Sequence, residues 1–402
     1  MKLTPPPIHS ILRRFSGASA MQVAVLLCVS FATLTLAAQE LAKERNIGDI
    51  DILATFDGPM PTGVTVSNDG RIFVNFPKWD DPVEYTVAEL KDGRTVPYPD
   101  AAVNSFKPGD KQEDKLVSVQ SVVVDPTGRR LWILDTGSIK FGPVSPGGPK
   151  LVAVDLGRNE IVKKILFPET VALPTSYLND VRFDLHRGKE GMAFITDSSD
   201  QGPNAIIVVD LASGKSWRRL NDHPSTKTDP AFLGIVEGKP FLQKQPGKPV
   251  QRPKSGSDGI AISADGKTLY YCPLTSRHLF SVSVDALADP TKSDEEVAST
   301  VKDLGEKGGG SDGLESDEQE RVYLSDYEHD AIHRRDPDGR IETLAHDPRI
   351  LWPDTLSLAS NGYLYFTANQ LHRGPRYHEG RDLRQKPYVL FRMKVDGTRI
   401  SQ

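Results

Sequence analysis

The chain has 402 residues, 33 of them glycine and 30 proline, and a formal net charge of −5. Such a length holds two or three ordinary domains or one repeat fold, and the acidic balance leaves no basic face for nucleic acid. The two cysteines, Cys28 and Cys272, exclude a disulfide framework and a zinc site built on cysteine pairs.

Residues 1–38 read as an export signal. Arg13 and Arg14 form a positive region, Met21 to Leu36 is apolar, and Ala37-Ala38 supplies small residues ahead of Gln39. Phe15, directly after the arginine pair, departs from a twin-arginine signal and favours the general secretory route. Leu27 before Cys28 departs from a lipid-attachment site. An uncleaved anchor is the alternative, because the apolar run is long. On either reading residues 39–402 are expected to form one domain, in the periplasm or secreted, with no membrane contact beyond the N-terminal segment. If that segment is removed, Cys272 is the single thiol.

After a lone strand-like segment, Asp49 to Phe56, one grammar recurs six times, in units that begin near Pro61, Ser118, Tyr177, Ser257, Ser311 and Trp352. Each unit opens with a short apolar strand, turns at residues such as Asp69-Gly70 or Asp265-Gly266, and continues into a more aromatic strand. Most add a third strand, among them Leu151 to Leu156, Ile206 to Leu211, Leu279 to Asp285 and Val389 to Gly397. Units of this kind at spacings of about 40–80 residues predict an all-β fold, a six-bladed β-propeller. The last unit shows three strands, so Asp49 to Phe56 is expected to supply the fourth and close the ring.

Two stretches interrupt the pattern. Residues 221–256 form an insertion between the third and fourth units. Asn369 to Tyr388, carrying Arg373, Arg376, His378 and Arg381, interrupts the sixth. Long ordered loops often cover a site, and both are expected to flank one face. An inert cover is the plainer alternative.

The innermost strand of each propeller blade lines a central channel. At or near the starts of these strands stand Asn179, Asp180, Asp258, Asp312, Glu315 and Asp354. Crowded carboxylates suit a divalent cation, Ca²⁺ above all, which takes about six to eight oxygen ligands. They suit an ammonium group equally, since either relieves their mutual repulsion. The expected metal ligands are Asn179, Asp258 and Asp354, and the expected proton-transfer groups are Asp180 and Asp258. Tyr177, Asp312, Glu315 and Trp352 are the expected substrate contacts, with Phe366 as a further aromatic wall. The competing reading is structural, with aspartates bonding backbone amides at strand starts. That role is expected of the turn residues Asp125, Asp184 and Asp265, and of Asp135, Asp197 and Asp326 at the ends of second strands. No histidine pair has zinc-ligand spacing and no nucleophile sits on a strand–helix elbow, so acid–base chemistry falls to the carboxylates.

The motifs YLNDVRFD (Tyr177 to Asp184), AFITDSS (Ala193 to Ser199), IVEGKP (Ile235 to Pro240), SDGLESD (Ser311 to Asp317) and the run from Ser257 to Val282 come in a specific order. With WPDTLSLASNGYLYFTANQL from Trp352, they resemble the yellow / major royal jelly protein family, in its bacterial branch, over Asp49 to Gly397. The resemblance implies a six-bladed propeller. Family members include secreted proteins linked to melanin formation, dopachrome-conversion enzymes, and salivary proteins that bind biogenic amines. A more distant likeness joins the gluconolactonase propellers, which hold a divalent metal in the channel. Of that pattern Asn179-Asp180 is kept. Thr62-Gly63 stands where a glutamate is expected, Asp258 replaces an asparagine, and Cys272-Pro273 replaces an aspartate. The implied function is a small-molecule site at the channel of an exported monomer. The first expectation is a metal-dependent lactone hydrolase with no organic cofactor. The alternatives are a non-catalytic binder of small amines or aromatic compounds, and a dopachrome-type tautomerase.

Overall fold

Short runs rich in Val, Ile, Leu and aromatic residues, each bounded by Gly, Asn or Asp, fold as antiparallel strands. The computed structural model describes residues 44–402, so the expected export segment, with Arg13, Arg14, Cys28 and the Ala37-Ala38 pair, lies outside the described residues. Strand β1 (Asp51–Phe56) precedes the first blade, which comprises β2 (Val64–Val66), β3 (Ile72–Asn75), β4 (Val87–Lys91) and β5 (Arg94–Pro97). The second blade is β6 (Val119–Val124), β7 (Arg130–Asp135), β8 (Lys150–Asp155) and β9 (Glu160–Leu166). The third is β10 (Leu178–Asp184), β11 (Met192–Asp197), β12 (Ala205–Asp210) and β13 (Ser216–Arg219). A small hairpin, β14 (Ile235–Val236) and β15 (Lys239–Pro240), lies within the first insertion. The fourth blade is β16 (Ser257–Ile262), β17 (Thr268–Pro273), β18 (His278–Ser283) and β19 (Lys302–Glu306). The fifth is β20 (Leu314–Ser316), β21 (Val322–Asp326), β22 (Ala331–Arg335) and β23 (Ile341–His346). The sixth is β24 (Pro353–Leu358), β25 (Tyr363–Ala368) and β26 (Tyr388–Lys394), completed by β1.

Ring closure follows the expectation. β1 pairs with β26 from Asp51↔Arg392 to Phe56↔Tyr388, so the first strand and the last share a sheet and neither is left as an open edge. The first strands touch their neighbours all the way round, from β2 through β6, β10, β16, β20 and β24 back to β2. They are buried along almost their whole length, whereas an outer strand such as β9 is largely exposed. The apolar core lies between blades. Trp132 of the second packs on Phe183 of the third with ring centroids 5.2 Å apart, a contact whose truncation to alanine costs about 3–5 kcal/mol.

The third strand of the fourth unit ends earlier than expected, at Ser283. Its hydroxyl accepts a hydrogen bond from Ala286 N and caps the helix Val284–Ala288. The aspartates at the ends of second strands are structural, as expected. Asp135 accepts from Val117 N, Ser118 N and Gly137 N and pairs with the buried Lys150 at 2.7 Å. Asp197 repeats the device with Tyr177 N and Arg218, and Asp326 with Glu328 N, His329 and His333. Each ties its strand end to nearby loop. Among the described residues, no helix is long and apolar enough to cross a membrane.

Candidate functional site

The channel side chains are aimed by bulges. β6, β10, β16 and β24 each slip register against the second strand of their blade, at Val119/Ser121, Leu178/Val181, Ser257/Ile260 and Pro353/Leu356. Gln120, Asn179-Asp180, Asp258-Gly259 and Asp354-Thr355 fall in those slips. A bulged residue leaves the ladder and its side chain is re-aimed, here toward the channel. The glycine after the aspartate has its own purpose. A Cβ on Gly259 would lie 2.5 Å from the carbonyl oxygen of Asp312, and one on Gly313 would lie 2.2 Å from that of Asp354. The Ser-Asp-Gly repeat therefore lets adjacent first strands close up, which crowds Asp258, Asp312 and Asp354.

These three carboxylates and Asn179 line one cavity of about 130 Å³ at a mouth of the channel. All four residues are buried; Asp258 is 3 % exposed and Asn179 8 %. Asp312 accepts from the indole N–H of Trp352 at 2.7 Å, and Asp354 accepts from the Asn369 amide at 2.6 Å. Asp258 differs: among the described residues no N–H or hydroxyl donates to its carboxylate, and after burial the group that acts on it most strongly is the Asp312 carboxyl. No lysine, arginine or histidine forms an ion pair with any of the three among the described residues. Burial, then the charge of Asp312, holds Asp258 and Asp354 well above the usual carboxylate range. Burial also pushes Asp312 up to about 6, against the opposing effect of the Trp352 bond.

The cavity wall is aromatic. Trp79 stacks on Phe141 at 4.8 Å, and Phe141 meets Tyr177 at 5.4 Å. The Trp79 indole donates to the Tyr177 hydroxyl at 2.6 Å, and that hydroxyl in turn bonds Gln120. The two insertions do flank this face, and each reaches the other. Lys244 N donates to the carbonyl of Arg376, Glu237 bonds His372 and Arg373, and Phe241 packs on Tyr377 at 4.7 Å. Lys254 of the first insertion, with Arg376 and Tyr377 of the second, joins the cavity lining.

Of the residues expected from the sequence, Tyr177, Asn179, Asp258, Asp312 and Asp354 come together here. Asp180 does not line the cavity; it bonds the Ser121 hydroxyl at 2.7 Å and lies 3.4 Å from Arg182. Glu315 lies with Arg182 and Arg399 in a separate cavity. Trp352 is fully buried, stacked on Tyr327 at 4.1 Å, and supports Asp312 from behind. Phe366 is a core residue packed on Phe391. Trp79, Phe141, Arg376, Tyr377 and Lys254 were not foreseen as lining. Their one sequence signal is position, since each sits in a loop after a second strand or in an insertion.

From the sequence, a divalent cation is expected on Asn179, Asp258 and Asp354. Among the described residues no group of three or more His, Cys, Asp or Glu side chains is arranged to hold a metal ion. The causes are local. Asp312 and Asp354 each have an oxygen taken up, by Trp352 and Asn369 respectively. Thr62 is tied to Asn75, and Cys272 is sealed in an apolar cluster with Leu279 and Leu314. The residues present do not fit a resident divalent cation.

Residues 117–394 match the family model described as major royal jelly protein. Protein yellow of Drosophila guanche is 27 % identical over 265 residues, covering 63 % of this chain and 44 % of that protein. Protein yellow of Drosophila melanogaster is 28 % identical over 251 residues, covering 59 % and 43 %. The chain thus spans a little under half the length of these relatives. Among solved structures, regucalcin from Agrobacterium tumefaciens, described as a calcium-binding protein, has a TM-score of 0.52 at 15 % identity, covering 87 % of this chain and 96 % of its own. A luciferin-regenerating enzyme has a TM-score of 0.50 at 12 % identity, covering 88 % of this chain and 99 % of its own. These structural likenesses concern the fold.

Proposed function

The chain belongs to the major royal jelly protein family, and from that premise we propose that the mouth of its channel binds a small organic cation, an amine carried on an aromatic ring. One observation carries the reading: Asp258 is 3 % exposed yet has no hydrogen-bond donor and no cation beside it among the described residues. An uncompensated buried carboxylate is costly, and burial beside Asp312 strengthens its hold on a proton. An ammonium group brings three N–H donors and the missing charge, and takes the place of that proton. The ring then lies along Trp79, Phe141 and Tyr177, whose faces favour both stacking and a neighbouring positive charge. Calorimetric titration of the full chain with benzylamine, tyramine and dopamine, each against its uncharged alcohol analogue, tests this. Heat from the amines and silence from the alcohols supports the reading; silence throughout removes it.

Hydrolysis of a lactone is the second reading, favoured by two carboxyls, Asp258 and Asp312, that line one cavity and are both raised by burial. Of two such carboxyls, one takes a proton from water while the other gives one to the leaving oxygen. Turnover of a panel of sugar and phenolic lactones, with calcium and with chelator, tests it. Rates equal to the buffer blank would discard it.

A further inference from the structure

We propose that the ligand of this pocket is two-ended, with its cationic group at the carboxylate floor and an anionic group on the far side of the ring, received by Lys254. This rests on the amine-binding reading above. Burial orders the pocket from one end to the other. The floor, Asp258, Asp312 and Asp354, is 3–6 % exposed, and Trp79 and Tyr177 of the wall are 7 % and 8 % exposed. Lys254 lines the same cavity but is exposed. Of the two cations that line the cavity, Lys254 and Arg376, it is the one without a partner among the described residues. Arg376 pairs with Asp200 and lies over the Phe141 ring at 4.7 Å, and Arg373 is held by Glu237. Arg277 is held by Glu328. Lys254 has neither an ion pair nor a hydrogen bond among the described residues. Its side chain is therefore free to turn over the opening without giving up a partner.

The lining runs from a floor of carboxyls to a lysine at the rim, and a ligand that matches both carries opposite charges at opposite ends. An amine without the second group uses the floor alone. A ligand with two positive ends meets the Lys254 ammonium with like charge. The ligands that fit are small aromatic compounds bearing an ammonium on one side and a carboxylate, sulfonate or phosphate on the other.

The test compares 4-(aminomethyl)benzoate with benzylamine by calorimetry on the full chain at pH 7.5. The carboxylate analogue is expected to bind about two- to fivefold more tightly, the range for an exposed ion pair. Its advantage shrinks at high salt. In Lys254→Gln the two ligands bind alike, and in Lys254→Glu the order reverses. Equal affinities in the wild-type chain, or an advantage that survives in Lys254→Gln, would overturn the inference while leaving amine binding in place. Failure of both ligands to bind at millimolar concentration would overturn the amine reading and this inference with it.

Discussion

Replacing Asp312 by asparagine is expected to stabilise the ligand-free chain above about pH 6 and to do little near pH 4. Burial raises the Asp312 carboxyl from an ordinary 3.8 to about 6. A raised carboxyl pKa means that the folded state holds its proton more tightly than the unfolded state. Its contribution to stability is therefore fully present below about 3.8 and is lost as pH rises through about 6. The difference of roughly two units corresponds to about 3 kcal/mol. The substitution Asp312→Asn removes that burden, because the amide oxygen keeps the bond from Trp352 while the NH₂ donates to Asp258. The unit Asn46–Gln402 has an unfolding entropy near 0.75 kcal/mol/K at about 2.1 cal/mol/K per residue, so the gain is worth about 4 °C in Tm. Thermal melts of both proteins at half-unit steps from pH 4 to pH 8 measure it. The Tm difference should open between pH 4 and pH 6.5 and then hold. A variant less stable than wild type at pH 7.5, or an offset constant across the range, would refute the argument that the floor is an electrostatic burden.

Deletion of residues 49–57 removes β1 and leaves β26 as an open edge. The whole propeller should then lose its cooperative melt, and an unchanged Tm would contradict the closure. Lys150→Met strips the cation from a pair that is 1 % and 0 % exposed and leaves Asp135 charged in the interior. The expected loss is about 3–5 kcal/mol, partly recovered when Asp135→Asn is added. Denaturation in urea separates these outcomes, since the double variant must be more stable than the single one.

The fold was legible because its signals are local and repeated. Turn residues such as Asp265-Gly266, short apolar strands and an unmatched segment at 49–56 are enough to specify blades and their closure. The crowding of Asp258, Asp312 and Asp354 was legible as well, since each occupies the same place in its unit. The aim of individual side chains was not. Strand alternation is what places a residue on one face or the other, and the slip between Leu178 and Val181 suspends it where Asn179 and Asp180 part company. Trp352, at φ 59°, tucks its indole under the floor instead of presenting it to the cavity. The aromatic wall was hidden for another reason: Trp79, Phe141 and Tyr377 lie in loops, where no periodicity reports direction.

The central claim is that Asp258 awaits a positive charge. Its most direct test is the titration of benzylamine into wild type and Asp258→Asn at pH 7.5. Benzylamine is expected to bind the wild-type chain and to lose at least about tenfold in the variant, the scale of a buried charge-assisted hydrogen bond. Undiminished affinity in Asp258→Asn would contradict it.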